Sequence, residues 1–220
     1  MTAKPETQRA SSSTHPKSIM RRLATFVAVS GVLLVLLMAS GFGSAVLDKL
    51  VLYGRIAQLY MRPPDTKISM PLQAVSKKQV ADTWHAPRGT DRLHEGQDIF
   101  APKGTPIFSA TTGYVYKIGE NTLGGQTVSV IGDGGRVYYY AHLDSYAPSL
   151  AEGDSVTTKT VLGYVGTSGN AQGTPPHLHF GIYTSSGAIN PLPLIVDRTF
   201  PVLSNTNPNQ RRPLVNRKIS

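Results

Sequence analysis

Cysteine is absent from the 220 residues of this chain. That excludes disulfides and thiolate metal sites, so any zinc must be held by His together with Asp or Glu. The compartment stays open, because a cysteine-free chain suits any of them. A His-Glu-x-x-His motif is missing as well, so the glutamate base of enzymes built on it has no counterpart here. No internal repeat is found. The body of the chain also lacks a basic stripe interleaved with aromatics, which argues against nucleic-acid binding. The net charge of +9 is concentrated in the two ends: residues 1–22 carry +4, residues 197–220 carry +4, and residues 23–196 only +1. Basic tails on a near-neutral body fit a membrane surface or an anionic wall polymer better than a nucleic acid.

Charge is missing, too, from Leu23 to Leu47. As one helix this run would span about 37 Å, more than the roughly 30 Å of a hydrocarbon core. The sequence therefore predicts a transmembrane signal-anchor over residues 23–47, behind a polar cytoplasmic segment over residues 1–22. The alternative is a cleaved signal peptide, with Gly43-Ser44-Ala45 as the small-residue site. A long polar lead and a long apolar run favour the anchor. Lys4, Arg9, Lys17, Arg21 and Arg22 on the amino side, against Lys49, Arg55 and Arg62 on the other, place the amino terminus in the cytoplasm and the rest outside. Residues 48–76 read as a membrane-proximal helix and linker, stopped by Pro63-Pro64. Ser76 is a candidate cap for a short helix.

Beyond residue 94 the pattern turns to short strands and Gly-rich turns. Candidate strands are Pro106–Ala110, Gly113–Ile118, Gln126–Ile131, Val137–His142, Val161–Val165 and His177–Tyr183. This spacing predicts an all-β fold, an antiparallel β-sandwich or barrel-like domain over residues 77–196. Residues 197–220 read as a basic disordered tail.

Three stretches carry chemistry. In His177-Leu178-His179 the strand alternation turns both imidazoles to one face, with Leu178, Phe180 and Ile182 on the other. Such a pair can bind a metal, move protons or do neither. In His94-Glu95-Gly96-Gln97-Asp98 the four-residue spacing puts His94 and Asp98 on one face of either a helix or a strand. Tyr140-Ala141-His142-Leu143 ends a Tyr-rich strand. Each stretch alone also suits a surface or structural histidine. Together they supply imidazoles and a carboxylate without cysteine, the donor set of a catalytic zinc site with an open position. Two neutral His and one Asp⁻ would leave such a centre Lewis-acidic, with histidine to spare for proton transfer.

At these residues the sequence resembles the LytM/lysostaphin family of zinc endopeptidases that cut peptidoglycan. The matching pattern is His94 to Asp98, Tyr140 to Leu143, and Gly173-Thr174-Pro175-Pro176-His177-Leu178-His179-Phe180, with Ile189-Asn190-Pro191 beyond. The resemblance implies Zn²⁺ held by His94, Asp98 and His179, with His142 and His177 handling the water proton and the oxyanion. It implies Arg88 and Tyr140 as substrate-contacting residues, and peptidoglycan stem peptides as substrate in an extended groove. It further implies a site on the periplasmic side of the inner membrane, reached through residues 23–47. A non-catalytic relative that binds wall and activates a separate amidase is the alternative. Two departures stand out. Gln97 occupies a position where an aliphatic residue is common, beside Asp98. His85, in Trp84-His85-Ala86-Pro87-Arg88, has no assigned role.

Overall fold

The computed structural model of the chain describes residues 16–39, 41–73, 75–89 and 91–198. They fall into two compact units, one ending at Gln58 and the other starting at Leu59. The first unit is helical, with α1 over Pro16–Ala39 and α2 over Gly41–Tyr60, the last two residues of α2 belonging to the second unit. The expected span over 23–47 falls on α1 and the first residues of α2, with residue 40 outside the described residues. Beyond it α2 carries Asp48, Lys49 and Arg55. Within α1, Met20–Leu37 has a mean hydropathy of 1.8 and none of it is buried. By length and composition it could cross a membrane, and a signal sequence would pass the same test.

The second unit is built from strands. They are β1 (Ile68–Ser69), β2 (Pro87–Arg88), β3 (Arg92–Leu93), β4 (Gln97–Phe100), β5 (Pro106–Phe108), β6 (Gly113–Asn121), β7 (Gly125–Gly132), β8 (Val137–Tyr146), β9 (Ser155–Val156), β10 (Val161–Val165), β11 (His177–Thr184), β12 (Gly187–Ile189) and β13 (Ile195–Val196). The main sheet has nine antiparallel strands, running β12-β11-β8-β7-β6-β9, with β4 added to β11 and β10 paired to both β5 and β8. The barrel-like expectation needs correction: the outermost strands, β9 and β12, do not pair, so the sheet stays open.

The core lies against this sheet. On β11 the alternation holds as read from the sequence: Leu178, Phe180 and Ile182 are fully buried among Ile99, Val128, Val130, Tyr138 and Tyr140. Burying such side chains contributes about 1.5–3 kcal/mol each. The two ends of the domain meet, because β1 pairs in parallel with β13. Just beyond, the Asp197 carboxylate accepts from the Lys77 amide at 2.5 Å. Arg198 donates to the carbonyls of Met70, Ser109 and Thr158 and lies over the Phe108 ring. These two residues are therefore ordered parts of the domain, not the start of the expected tail. The remainder of that tail, and residues 1–15 of the polar lead, lie outside the described residues. Ser76 caps a short helical turn over Lys77–Gln79, as its sequence suggests.

The ladder between β7 and β8 is interrupted beside a histidine. Between Tyr140 and Leu143, β8 advances by three residues while β7 advances by two, from Val128 to Gln126. The extra residue forms a bulge, and His142 sits in it at φ 64°. Bulges re-aim side chains. Its amide is not left unpaired, since it donates to Gly124 O at 2.8 Å.

Candidate metal centre and groove

β4 and β11 run antiparallel with His179 opposite Asp98 and His177 opposite Phe100. This register sets the Asp98 carboxylate beside the His179 ring. His94 precedes β4, and its backbone is fixed by the exchange His85 N–His94 O and His94 N–Ala86 O. The result is a cluster of three donor atoms. His94 Nε2 lies 2.8 Å from His179 Nδ1 and 3.1 Å from Asp98 Oδ1, and His179 Nδ1 is 3.3 Å from Asp98 Oδ1. Gly96 makes room for it: a Cβ there would come within 2.6 Å of His179 Cε1 and 2.9 Å of Phe180 O.

These atoms fit a zinc ion by chemistry and by spacing. Ligands at about 2.0–2.2 Å from a tetrahedral zinc stand about 3.3–3.6 Å apart; the separations of 2.8, 3.1 and 3.3 Å are slightly shorter, so a bound ion would spread the three atoms by up to about half an ångström. His94 Nδ1 is 2.7 Å from Thr83 O. A carbonyl only accepts, so Nδ1 carries the proton and Nε2 presents its lone pair to the cluster. With His179 Nδ1 free of its proton, the three ligand atoms face one point and could hold a metal ion.

The Asp98 carboxylate is anionic. Burial would raise its pKa, but the hydrogen bond with His179 and the Arg88 guanidinium outweigh that and hold it well below the usual range. Burial lowers the pKa of His179, against the pull of Asp98. Arg88 donates to Asp98 Oδ2, which leaves Oδ1 to face the histidines.

The other two histidines border the cluster. His142 and His177 have ring centroids 5.0 Å apart, and His142 is 5.9 Å from His179. His142 Nδ1 pairs with Ser168 O at 2.9 Å and His177 Nδ1 with Pro175 O at 2.8 Å. Again a carbonyl fixes the tautomer, so both Nε2 atoms are the unprotonated ones, and that of His177 lies 3.9 Å from Asp98 Oδ1. Burial pushes the His142 pKa down to about 4, more than the Ser168 bond restores. His142 is therefore neutral at pH 7 and able to accept a proton.

All five of these side chains line one cavity of about 640 Å³, together with Arg88, Asn121, Tyr139 and Tyr183. Tyr140 is not among them, and its expected contact with substrate is corrected. Strand alternation turns Tyr140 into the core, fully buried, where its hydroxyl accepts from Ala110 N at 2.8 Å. Its neighbour Tyr139 faces the groove instead. His85 stacks on Trp84 at 4.4 Å and does not line the cavity.

Sequence reasoning missed the carbonyls that orient the rings. Thr83 and Ser168 act through backbone oxygens, which leave no side-chain signature. Ser168 also bridges two strands, its hydroxyl donating to Leu143 O and accepting from Gln126 N. In the sequence, Ser168-Gly169-Asn170 signals only a turn.

Residues 92–191 match the model of Peptidase family M23. The chain is 36% identical over 126 residues to the L-Ala--D-Glu endopeptidase of Bacillus subtilis, covering 54% of this chain and 39% of that protein. It is 33% identical over 127 residues to the DD-carboxypeptidase/endopeptidase Mpg of Neisseria meningitidis, covering 58% and 26% respectively. The chain thus spans less than half the length of these curated relatives. The solved structure of LytU is 32% identical, with 54% of this chain and 83% of that one covered, at a TM-score of 0.46. The motifs that converge in the groove lie within the matched stretch, and residues 92–191 are a domain of Peptidase family M23.

Proposed function

We propose that this protein is a membrane-anchored zinc metalloendopeptidase that hydrolyses peptide cross-bridges of peptidoglycan. The observation that carries the reading is the convergence of His94 Nε2, Asp98 Oδ1 and His179 Nδ1, all within 4.8 Å of one another, beside two further oriented histidines. His94, Asp98 and His179 would hold the ion. A bound Zn²⁺ would polarise the scissile carbonyl and lower the pKa of a water toward about 7.

The remaining work belongs to His142 and His177. Each has its Nδ1 proton committed to a carbonyl, so each can take or give a proton only at Nε2. One accepts the water proton, and the other, once protonated, steadies negative charge on the carbonyl oxygen or donates to the leaving amine. Arg88 keeps the Asp98 carboxylate ionised and turned, so its role is to support the ligand. That role stands beside the expected substrate contact, since Arg88 also lines the cavity. The groove has room for an extended stem peptide, and likeness to the Peptidoglycan DD-endopeptidase ShyC of Vibrio cholerae, 31% identical over 107 residues, supports a peptidoglycan substrate. Met20–Leu37 serves as the anchor in this reading and sets the groove on the periplasmic side.

The test is a digest. The full chain, purified in detergent and loaded with one zinc, should release muropeptides of cross-bridge-cleaved mass from sacculi. Zinc binding without any mass shift, together with stimulation of an added amidase, would instead assign it as a non-catalytic activator.

A further inference from the structure

Gln97 is fully buried between two residues of the metal cluster, and no step of the chemistry uses it. On β4 the alternation points Asp98 into the groove and Gln97 and Ile99 away from it, both inaccessible to solvent. A buried carboxamide is costly unless its hydrogen bonds are made. Here all four are. Its Oε1 accepts from Thr83 N at 2.9 Å and from Thr83 Oγ1 at 3.1 Å. Its Nε2 donates to Asp82 Oδ1 at 2.8 Å and to Asn190 Oδ1 at 3.1 Å. That exhausts the two donors and two lone pairs of the group.

The partners matter more than the count. Thr83 is the residue whose carbonyl takes the His94 Nδ1 proton at 2.7 Å, and its hydroxyl oxygen accepts from the Asp98 amide at 3.0 Å. One residue thus touches two members of the cluster, and Gln97 holds that residue by both its amide and its hydroxyl. Asp82 is gripped beside it and also accepts from Trp84 N at 3.0 Å, which fixes the chain direction on either side of Thr83. Asn190 brings in the far end of the domain, its Oδ1 also accepting from Leu192 N at 2.9 Å.

We infer that Gln97 is a positioning residue for the metal centre, acting through Thr83 to lock the His94 tautomer and the Asp98 backbone. This rests on the zinc reading of the cluster. An apolar side chain of similar size would fill the space equally well. It would leave the Thr83 amide without a partner and the Asp82–Thr83 segment held only by its neighbours. Groups that orient metal ligands in this way are worth about ten- to a hundredfold in metal affinity.

The experiment uses the full metal-free chain in detergent. The His94 tautomer is read from ¹⁵N shifts of labelled histidine, and the zinc dissociation constant from competition with a chelator. Gln97→Leu should lose the single Nδ1–H tautomer of His94 and bind zinc about ten- to a hundredfold more weakly. Thr83→Ala should weaken binding in the same direction, and Thr83→Ser should restore it to within about threefold. The double variant should be little worse than Gln97→Leu alone, because both act along one path. A Gln97→Leu protein with an unchanged tautomer and zinc affinity within twofold of the parent overturns the inference, whatever its melting temperature. If that variant does not fold, an unchanged zinc affinity in Thr83→Ala overturns it equally. Should the parent chain bind no zinc, the functional reading fails, and the tautomer alone still decides whether Gln97 governs His94.

Discussion

The site has two halves built by different means. The sheet half comprises His142, His177 and His179, carried by β8 and β11 inside a nine-stranded sheet. The strap half brings His94 and Arg88 to Asp98, and among its described residues, 82–89 and 91–95, the only strand pairing of its own is the two-residue pair β2–β3. Sheet register places the first set, and side chain–backbone hydrogen bonds place the second. A metal held as proposed would draw ligands from both, so its retention would depend on the weaker half, while the proposed proton transfer would draw only on the stronger one. Metal binding should therefore be the property most sensitive to change in the strap, and turnover the one most sensitive to change in the sheet.

The sharpest division comes from His177→Ala. Its ring belongs to the sheet half and is not among the three converging donor atoms. Cross-bridge hydrolysis should fall by about 10²–10⁴, the usual share of a positioned acid or base. Bound zinc, counted after dialysis, should stay near one per chain. Loss of zinc together with activity would mean the roles of His177 and His179 are misassigned.

Gly96→Ala strikes the junction of the halves. A Cβ at 2.6 Å from His179 Cε1 must displace that ring, because Phe180 O blocks the other direction at 2.9 Å. Zinc affinity should drop by about tenfold or more, the scale of a mispositioned ligand, and chelator competition measures it. Unchanged affinity would show that the His179 ring has freedom which the packing denies it.

How much of the molecule was legible in the sequence follows the same division. Both faces of β11 were readable, because alternation is a property of the sequence itself: His177 and His179 on one side, Leu178, Phe180 and Ile182 on the other. Five of the six named strands could be placed closely because Gly-rich turns bound them. The bulge at His142 was not readable. Strict alternation would send that ring into the core after Tyr138 and Tyr140, and only the added residue with its positive φ returns it to the groove. The partner of Arg88 and the face of Tyr140 were hidden for related reasons. An arginine advertises charge but not which carboxylate it meets, and a tyrosine in a Tyr-Tyr-Tyr run shows its face only once the register is known. The strap left the faintest trace, since it has no apolar period and its anchors are single side-chain and backbone hydrogen bonds rather than a strand register.

Acid should expose the difference in a metal-free sample. Burial holds the folded His142 near 4 against an ordinary 6.5, and burial lowers His179 in the same direction. Between about pH 6.5 and 4 the unfolded chain takes up protons that the folded site refuses, so stability falls as pH falls through that window. Asp98 adds a later loss: its lowered folded pKa contributes stability above its ordinary 3.8 that disappears in stronger acid. The melting temperature, followed with chelator present, should decline from pH 7 to 4, and His142→Gln should flatten the decline. A flat profile in the parent would mean that His142 is solvated and charged in the folded state.

The smallest effect on activity should come from Tyr140→Phe, and it separates core from groove within a single strand. Tyr140 and Tyr139 are adjacent on β8 yet face opposite ways. Removing the Tyr140 hydroxyl leaves the Ala110 amide without its 2.8 Å acceptor in a dry interior, which costs about 1–3 kcal/mol. Chemical denaturation should register that loss, while the rate of cross-bridge release below the new midpoint stays within about twofold, because nothing that lines the cavity has changed. Were the variant to keep its stability and lose turnover, Tyr140 would have to reach substrate through a rearranged β8. The bulge that delivers His142 would then be a feature of one state of the strand only.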